Sequence, residues 1–383
     1  MLLLLQWVLT SRIILSKGKT RLSTANFLGH AAAWFLDSGI REAAGGVARY
    51  YHKDLQANAP ISTEITGYTV SALVYLHSLT GLEKYLEAAR TEADYLTNIA
   101  WNRELEVFPF EFSITSDPVE PLSFFFDSGI IVRGLLSIWR ATRHALYLDT
   151  ASECASGMAK HFGNSDDDFH PVLCLPDKAP LDRDRRWSRS PGCYQLKAAL
   201  GWRELSEVTG EQRYAQFYHR MLAYSLSAHE QFLPGDTDPA RVMDRLHAYC
   251  YFLEGLLPCA QEPEYGQVLL EGIDRVAEHL HEIAPSFARS DVYAQLLRLR
   301  LLVELLNQGE VDRLQAGEEA RALASFQASH PDRRIGGGFY FGRKGKELLP
   351  HVNPVSTAFG LQTLSMWNQY REGNLRLNWQ MLI

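Results

Sequence analysis

Three carboxylates in this chain stand where a loop gives way to a helix. They are Glu64 in Thr63-Glu64-Ile65-Thr66-Gly67-Tyr68, Asp127 in Phe126-Asp127-Ser128-Gly129, and Asp291 in Ser290-Asp291-Val292-Tyr293. Two carboxyl groups whose surroundings push their pKa values apart can serve as acid and base in one reaction. Asp127 follows Phe124-Phe125-Phe126. An apolar neighbourhood disfavours the charged form, so Asp127 is expected to keep its proton. Glu64 lies among Ser62, Thr63 and Thr66, whose hydroxyls are expected to hold it ionised, as suits a base. Tyr68 follows one helical turn on, on the same face. The competing reading makes all three acids simple helix-start residues that meet backbone N–H groups and the helix dipole.

Two histidines add to this set. His247 lies in Asp244-Arg245-Leu246-His247-Ala248-Tyr249, and His351 in Pro350-His351-Val352-Asn353-Pro354. Each can act as a general base, although a lone histidine is more often a buried structural one. Trp187, Tyr194, Tyr249 and Tyr340 offer flat apolar faces, and Arg189 and Arg245 can clamp a carboxylate by two parallel hydrogen bonds. No metal or cofactor is expected. None of the five cysteines is followed by His, and none forms a Cys-x-x-Cys pair. The Gly336-Gly337-Gly338 run leads into no Lys-Ser/Thr helix start, so it is no phosphate loop.

These residues need elements to position them. Six alanine- and leucine-rich stretches begin near residues 63, 126, 192, 245, 290 and 354. Their spacing of about 45–65 residues suits a helix-pair repeat. A short turn, such as Thr80-Gly81-Leu82-Glu83 or Thr209-Gly210-Glu211-Gln212, joins each stretch to a more amphipathic one. Glycine tolerates the left-handed conformation that ends a helix, and an acid favours the next start. The other connectors, near 38–60, 101–123, 164–191, 229–244, 282–289 and 329–353, are long. Antiparallel helices must gather them all at one end. Residues 68–76 carry no charged face, whereas Leu82, Leu86, Ala89, Ala93 and Leu96 form a single stripe. Uncharged helices inside and amphipathic helices outside is the simplest arrangement.

Six such hairpins, with Thr-Gly-acid connectors and aromatic loops at one end, resemble the all-α (α/α)6 barrel of the six-hairpin glycosidase-like superfamily. The resemblance covers about residues 24–370. It implies an active-site funnel at the long-loop end and a carbohydrate-active enzyme without a cofactor, acting on an oligosaccharide or polysaccharide. A glycoside hydrolase is the leading expectation, with Asp127 as acid and Glu64 or Asp291 as base; the arginines add the expectation of uronic-acid-containing oligosaccharides. A sugar epimerase or polysaccharide lyase using His247 and His351, or a His–Tyr pair, is the alternative. A non-catalytic glycan-binding toroid is the third, since fold does not settle function.

Composition bounds the rest. A net charge of −7 without a long basic run argues against nucleic acid as the partner. No apolar run reaches membrane-spanning length. The repeat continues without a linker, so residues 1–383 read as one toroid domain, with 1–23 as an N-terminal helical extension. The start Met1-Leu2-Leu3-Leu4-Leu5 resembles a signal core but lacks a basic residue before it. With an odd number of scattered cysteines, a cytoplasmic location is expected, and a periplasmic or secreted one if that segment is a signal.

Overall fold

The computed structural model describes residues 24–113, 119–164, 168–184 and 186–383. The extension expected over 1–23, with its signal-like start, lies outside the described residues. Twelve α-helices appear among those described: α1 (Thr24–Asp37), α2 (Thr63–Thr80), α3 (Glu83–Tyr95), α4 (Phe125–Thr142), α5 (Ala145–Phe162), α6 (Leu196–Thr209), α7 (Gln212–Phe232), α8 (Pro239–Leu256), α9 (Pro263–Ile283), α10 (Ser290–Leu305), α11 (Arg313–Ala324) and α12 (Pro354–Arg371).

The even-numbered helices form the inner ring. Each packs on the next, and α12 returns to α2, closing the (α/α)6 toroid. Burial follows composition. In α4 every residue from Phe125 to Leu136 is buried. In the outer α9 only one stripe is, through Leu269, Ile273, Val276, Leu280 and Ile283. Helices α3, α5, α7, α9 and α11 lie against the inner helix before them, whereas α12 is covered by α1. The sixth pair therefore departs from the sequence expectation. Among the described residues no outer helix follows α12, which leads instead to a short 3-10 turn at Trp379–Met381.

Glycine sets how closely the inner helices approach. A Cβ on Gly129 would stand 2.4 Å from the Ala198 carbonyl oxygen and 2.5 Å from its Cα, and one on Gly134 would stand 2.6 Å from the Gly67 carbonyl oxygen. These contacts draw α2, α4 and α6 together and with them the starts of α2 and α4. Gly129→Ala is therefore expected to destabilise the fold by roughly 1–3 kcal/mol through overpacking against backbone, although alanine is the better helix former by about 1 kcal/mol. Chemical denaturation checks this; a more stable variant would mean that α4 and α6 can separate freely.

The long loops are stitched to one another by short antiparallel strands. Ile61–Ser62 pairs with Glu111–Phe112 in the register Ser62↔Glu111. Leu122–Phe124 pairs with Val172–Cys174. Tyr51–His52 pairs with His351–Val352, and Phe287–Arg289 with Gly342–Lys344. One expected long loop, 229–244, is short. α7 runs to Phe232 and α8 starts at Pro239, where the Asp238 side chain accepts from the Ala240 N–H at 2.9 Å and proline occupies the first turn. Asp-Pro here is a helix start rather than loop punctuation.

The short-turn end is sealed. Glu254 accepts from Lys197 Nζ and from Arg298 Nε, both at 2.7 Å, and all three side chains are 0% exposed. The final segment packs beneath them: Lys197 also donates to the Ile383 carbonyl, Arg133 to that of Trp379 and Gln362 to that of Met381. Access to the barrel axis is therefore from the long-loop end. A second cavity of about 460 Å³ flanks the sealed end, but its arginines, Arg133 and Arg140, are both held by Glu204.

Candidate functional site

At the long-loop end lies a cavity of about 570 Å³ whose floor is made by the first turns of the inner helices. Glu64 of α2 and Asp127 of α4 both line it. Asp127 is 6% exposed, and its Oδ2 is shut off from solvent with no hydrogen-bond partner. Burial raises its pKa well above the ordinary carboxylate range, and the charges of Glu64 and Glu111 push it further. Burial also raises Glu64, to about 7, against the opposing pull of Arg49. Burial thus favours the protonated form of Asp127 while its neighbour Glu64 has its midpoint near neutrality, and charge on one opposes charge on the other.

The hydroxyls expected to hold Glu64 ionised do other work. Ser62 Oγ caps α2 by accepting from the Ile65 N–H, Thr63 donates to the Pro109 carbonyl, and Thr66 donates to the Ser62 carbonyl and accepts from the Val47 N–H. The cation facing Glu64 is instead Arg49, from the loop before α2, and Arg49 is itself paired with Glu111 at 2.9 Å. Sequence reasoning missed both residues. The Ser62↔Glu111 strand pairing, which brings Glu111 beside the start of α2, joins segments about 50 positions apart and leaves no local signature.

His247 lines the cavity from α8, 7% exposed, with its ring 4.4 Å from that of Tyr251, centroid to centroid. Its pKa falls to about 4, first from burial. Asp291 lies behind it and is not a free acid. Arg289 binds both its oxygens, at 2.9 and 2.5 Å, and holds its carboxyl below the usual range although burial acts the other way. Asp291 is therefore a charge partner of Arg289, which does line the cavity.

Among the expected sugar-binding residues, Trp187, Arg189 and Tyr194 reach the cavity. Trp187 is partly exposed and rests edge-on against Tyr194 at 4.9 Å, while the Tyr194 hydroxyl donates to the Ser190 carbonyl and braces that loop. Arg189 is neutralised by Glu120 at 3.0 Å. Tyr68 sits below the floor, its hydroxyl bonded to that of Tyr251 at 3.1 Å.

Besides Asp291 and Tyr68, four expected residues are not brought to this cavity. Arg245 stacks over Phe232 and donates to its carbonyl, and Tyr249 bonds His229 on the outer side of α8. Both lie two positions from His247, which at about 100° per residue is the opposite helix face. Tyr251, four positions on, shares the His247 face and was missed. Tyr340 is buried, its backbone bridged to Val352. His351 faces His52 across the strand pair, ring centroids 4.9 Å apart, and touches Tyr50. Among the described residues no group of His, Cys, Asp and Glu is arranged to hold a metal ion, and no helix is long and apolar enough to cross a membrane.

No protein-family model and no curated protein matches the sequence. Solved structures do match in fold. A sugar epimerase from a ruminal bacterium superposes with a TM-score of 0.66 at 11% identity, covering 88% of this chain and 98% of that one. The cellobiose 2-epimerase of Spirochaeta thermophila gives 0.65 at 12%, covering 92% and 100%. An unsaturated glucuronyl hydrolase from Streptococcus agalactiae gives 0.63 at 11%, covering 91% and 92%. Together with the closed ring of six inner helices, these likenesses show that the chain has the (α/α)6 toroid fold.

Proposed function

We propose that this protein is a carbohydrate-active enzyme that hydrolyses a glycosidic bond, with Asp127 as proton donor and Glu64 as base. One observation carries the reading: two carboxyls at neighbouring inner-helix starts face one cavity, one of them buried so that its protonated form is favoured and the other titrating near neutrality. Asp127 would give its proton to the departing oxygen, and Glu64 would take a proton from the attacking water. Trp187 would stack on a sugar face, with Tyr194 behind it.

The cavity arginines favour an uncharged sugar over a uronate. Arg49, Arg186, Arg189 and Arg289 are already paired with Glu111, Asp184, Glu120 and Asp291. A substrate carboxylate would have to displace a resident one, and Glu64 adds negative charge as it ionises.

An epimerase is the second reading, favoured by the neutral His247 in the cavity and by the epimerases among the fold relatives. Its second histidine, His351, is turned to His52, which leaves it the His247–Tyr251 pair. Reducing-end release from a panel of neutral and uronate oligosaccharides tests the first reading, and solvent deuterium incorporation tests the second. Deuterium exchange into unhydrolysed substrate would overturn hydrolysis.

Turnover is expected to rise with pH through about 7, as Glu64 loses its proton, and to fall at higher pH as Asp127 loses its own. A pH–kcat profile that is flat from pH 6 to 8 would exclude Glu64 as the base.

A further inference from the structure

The two ring nitrogens of His247 meet different surroundings. Nδ1 lies 2.7 Å from Gln295 Oε1 and 3.5 Å from Asp291 Oδ2, both on α10. An amide oxygen and an ionised carboxylate only accept hydrogen bonds, so both call for a hydrogen on Nδ1. Turning the Gln295 amide over would satisfy one contact and leave the Asp291 oxygen against a bare lone pair. Gln295 is 0% exposed, and its amide nitrogen bonds no described group. Its bond to His247 is therefore the principal engagement of that side chain. Among the described residues none bonds Nε2 of His247, and the ring lines the cavity.

We infer that Gln295 fixes His247 in the Nδ1–H tautomer, leaving Nε2 in the cavity as an acceptor for a sugar hydroxyl. His247 is then the group that touches the ligand, and Gln295 is a positioning residue acting through it. The choice of ligand rests on the carbohydrate reading above; the tautomer does not.

The groups around the ring keep it neutral. Asp291 would draw a second proton onto it, but Arg289 binds Asp291 and also reaches Asp244 at 2.8 Å. Tyr251 and Glu254 come from the same helix as His247, Glu254 being held by Lys197 and Arg298. Trp187 covers the ring from the loop before α6, at 6.4 Å between centroids. Burial comes first and, with Arg289, outweighs the pull of Asp291 and the Gln295 bond. A neutral imidazole with Nε2 bare accepts a hydroxyl proton; a protonated one would donate instead.

Long-range ¹H–¹⁵N spectra of the full chain labelled at histidine test this, with the His247 signals identified by their loss in His247→Gln. The wild type is expected to show the Nδ1–H tautomer and no titration between about pH 5.5 and 8. In Gln295→Glu a carboxylate replaces the amide, and the ring should titrate at least about one pH unit higher. Below that new midpoint kcat/KM should fall more steeply with acid than the single ionisation of Glu64 near 7 requires. Gln295→Met, which offers no comparable acceptor, should show a mixture of tautomers. An Nε2–H wild-type ring, a wild-type midpoint near the ordinary histidine value, or variants that leave the ring unchanged would each overturn the assignment. A shifted ring titration with no such steepening of the acid limb would overturn the acceptor role. Absence of reducing-end release from any oligosaccharide, with the Nδ1–H tautomer present, would remove the hydrolase reading and leave the tautomer standing.

Discussion

Asp127→Asn is expected to lower turnover by roughly 10²–10⁴-fold, the usual contribution of a positioned proton donor, while the toroid becomes more stable in alkaline solution. Both effects have one cause. The wild-type carboxyl is buried, its Oδ2 has no partner, and Glu64 and Glu111 oppose its ionisation. Its folded-state pKa is raised, so the folded form holds the proton that the unfolded form has already lost. The stability this gives is present in full below the unfolded value near 3.8 and is lost as pH rises through the folded one. Asparagine cannot ionise and escapes that loss. Melting temperatures of variant and wild type should therefore diverge as pH increases, with the inactive variant the more stable. Substrate binding should survive the change. Loss of binding together with turnover, or turnover that persists in Asp127→Asn but vanishes in His247→Ala, would remove Asp127 from the role of acid and return the epimerase reading to the front.

Glu254→Gln is the change with the largest expected cost to folding, about 3–5 kcal/mol. Glu254 lies beneath the cavity between Lys197 and Arg298, all three 0% exposed. Burial alone would raise its pKa, but Arg298 and Lys197 more than offset this and hold it below the usual range. Glutamine leaves two buried cations facing each other without an anion. Lys197, whose own pKa burial already drives well below normal, should respond by giving up its proton, so the destabilisation should be greatest in acid, where it must stay charged. Urea unfolding at pH 5 and pH 8 measures this. Equal and small losses at both would mean that water reaches the network. Replacing all three by apolar residues of similar volume should cost far less than removing one charge, because it is the uncompensated ion that is expensive.

The inner and outer roles of the helices were legible because burial leaves a mark on sequence. A helix packed on all sides, such as α2 or α12, cannot carry charges around its circumference, and one facing solvent, such as α9, must alternate. The Thr-Gly-acid turns were legible because Gly81 and Gly210 adopt the left-handed backbone that ends α2 and α6. The start of α8 was misplaced because Asp-Thr-Asp-Pro has the composition of a turn, and only the Asp238 cap shows it to be a helix start.

The position of Glu64 and Asp127 at the cavity was legible because a helix start in a repeat of known polarity fixes which end of the barrel it faces. That Trp187, Arg189 and Tyr194 reach it was legible from aromatic and cationic residues in or beside a long loop. Arg49, Glu111 and Gln295 were missed. Each meets its partner through strand pairing or helix–helix contact between distant segments, and no spacing rule reports that.

By itself, the sequence determined that there are six inner helices, that the long loops share one end, and that carboxylates stand at the inner-helix starts, because periodicity and chain polarity are local properties. Tertiary structure alone decided that α1 rather than a C-terminal helix completes the sixth hairpin. It also decided that Tyr251 and not Tyr249 faces the cavity, that Asp291 is spent on Arg289, and that His247 is held by Gln295. Those outcomes depend on where ring closure and helix rotation set side chains against one another, and on the burial that then fixes which of them keep their charge.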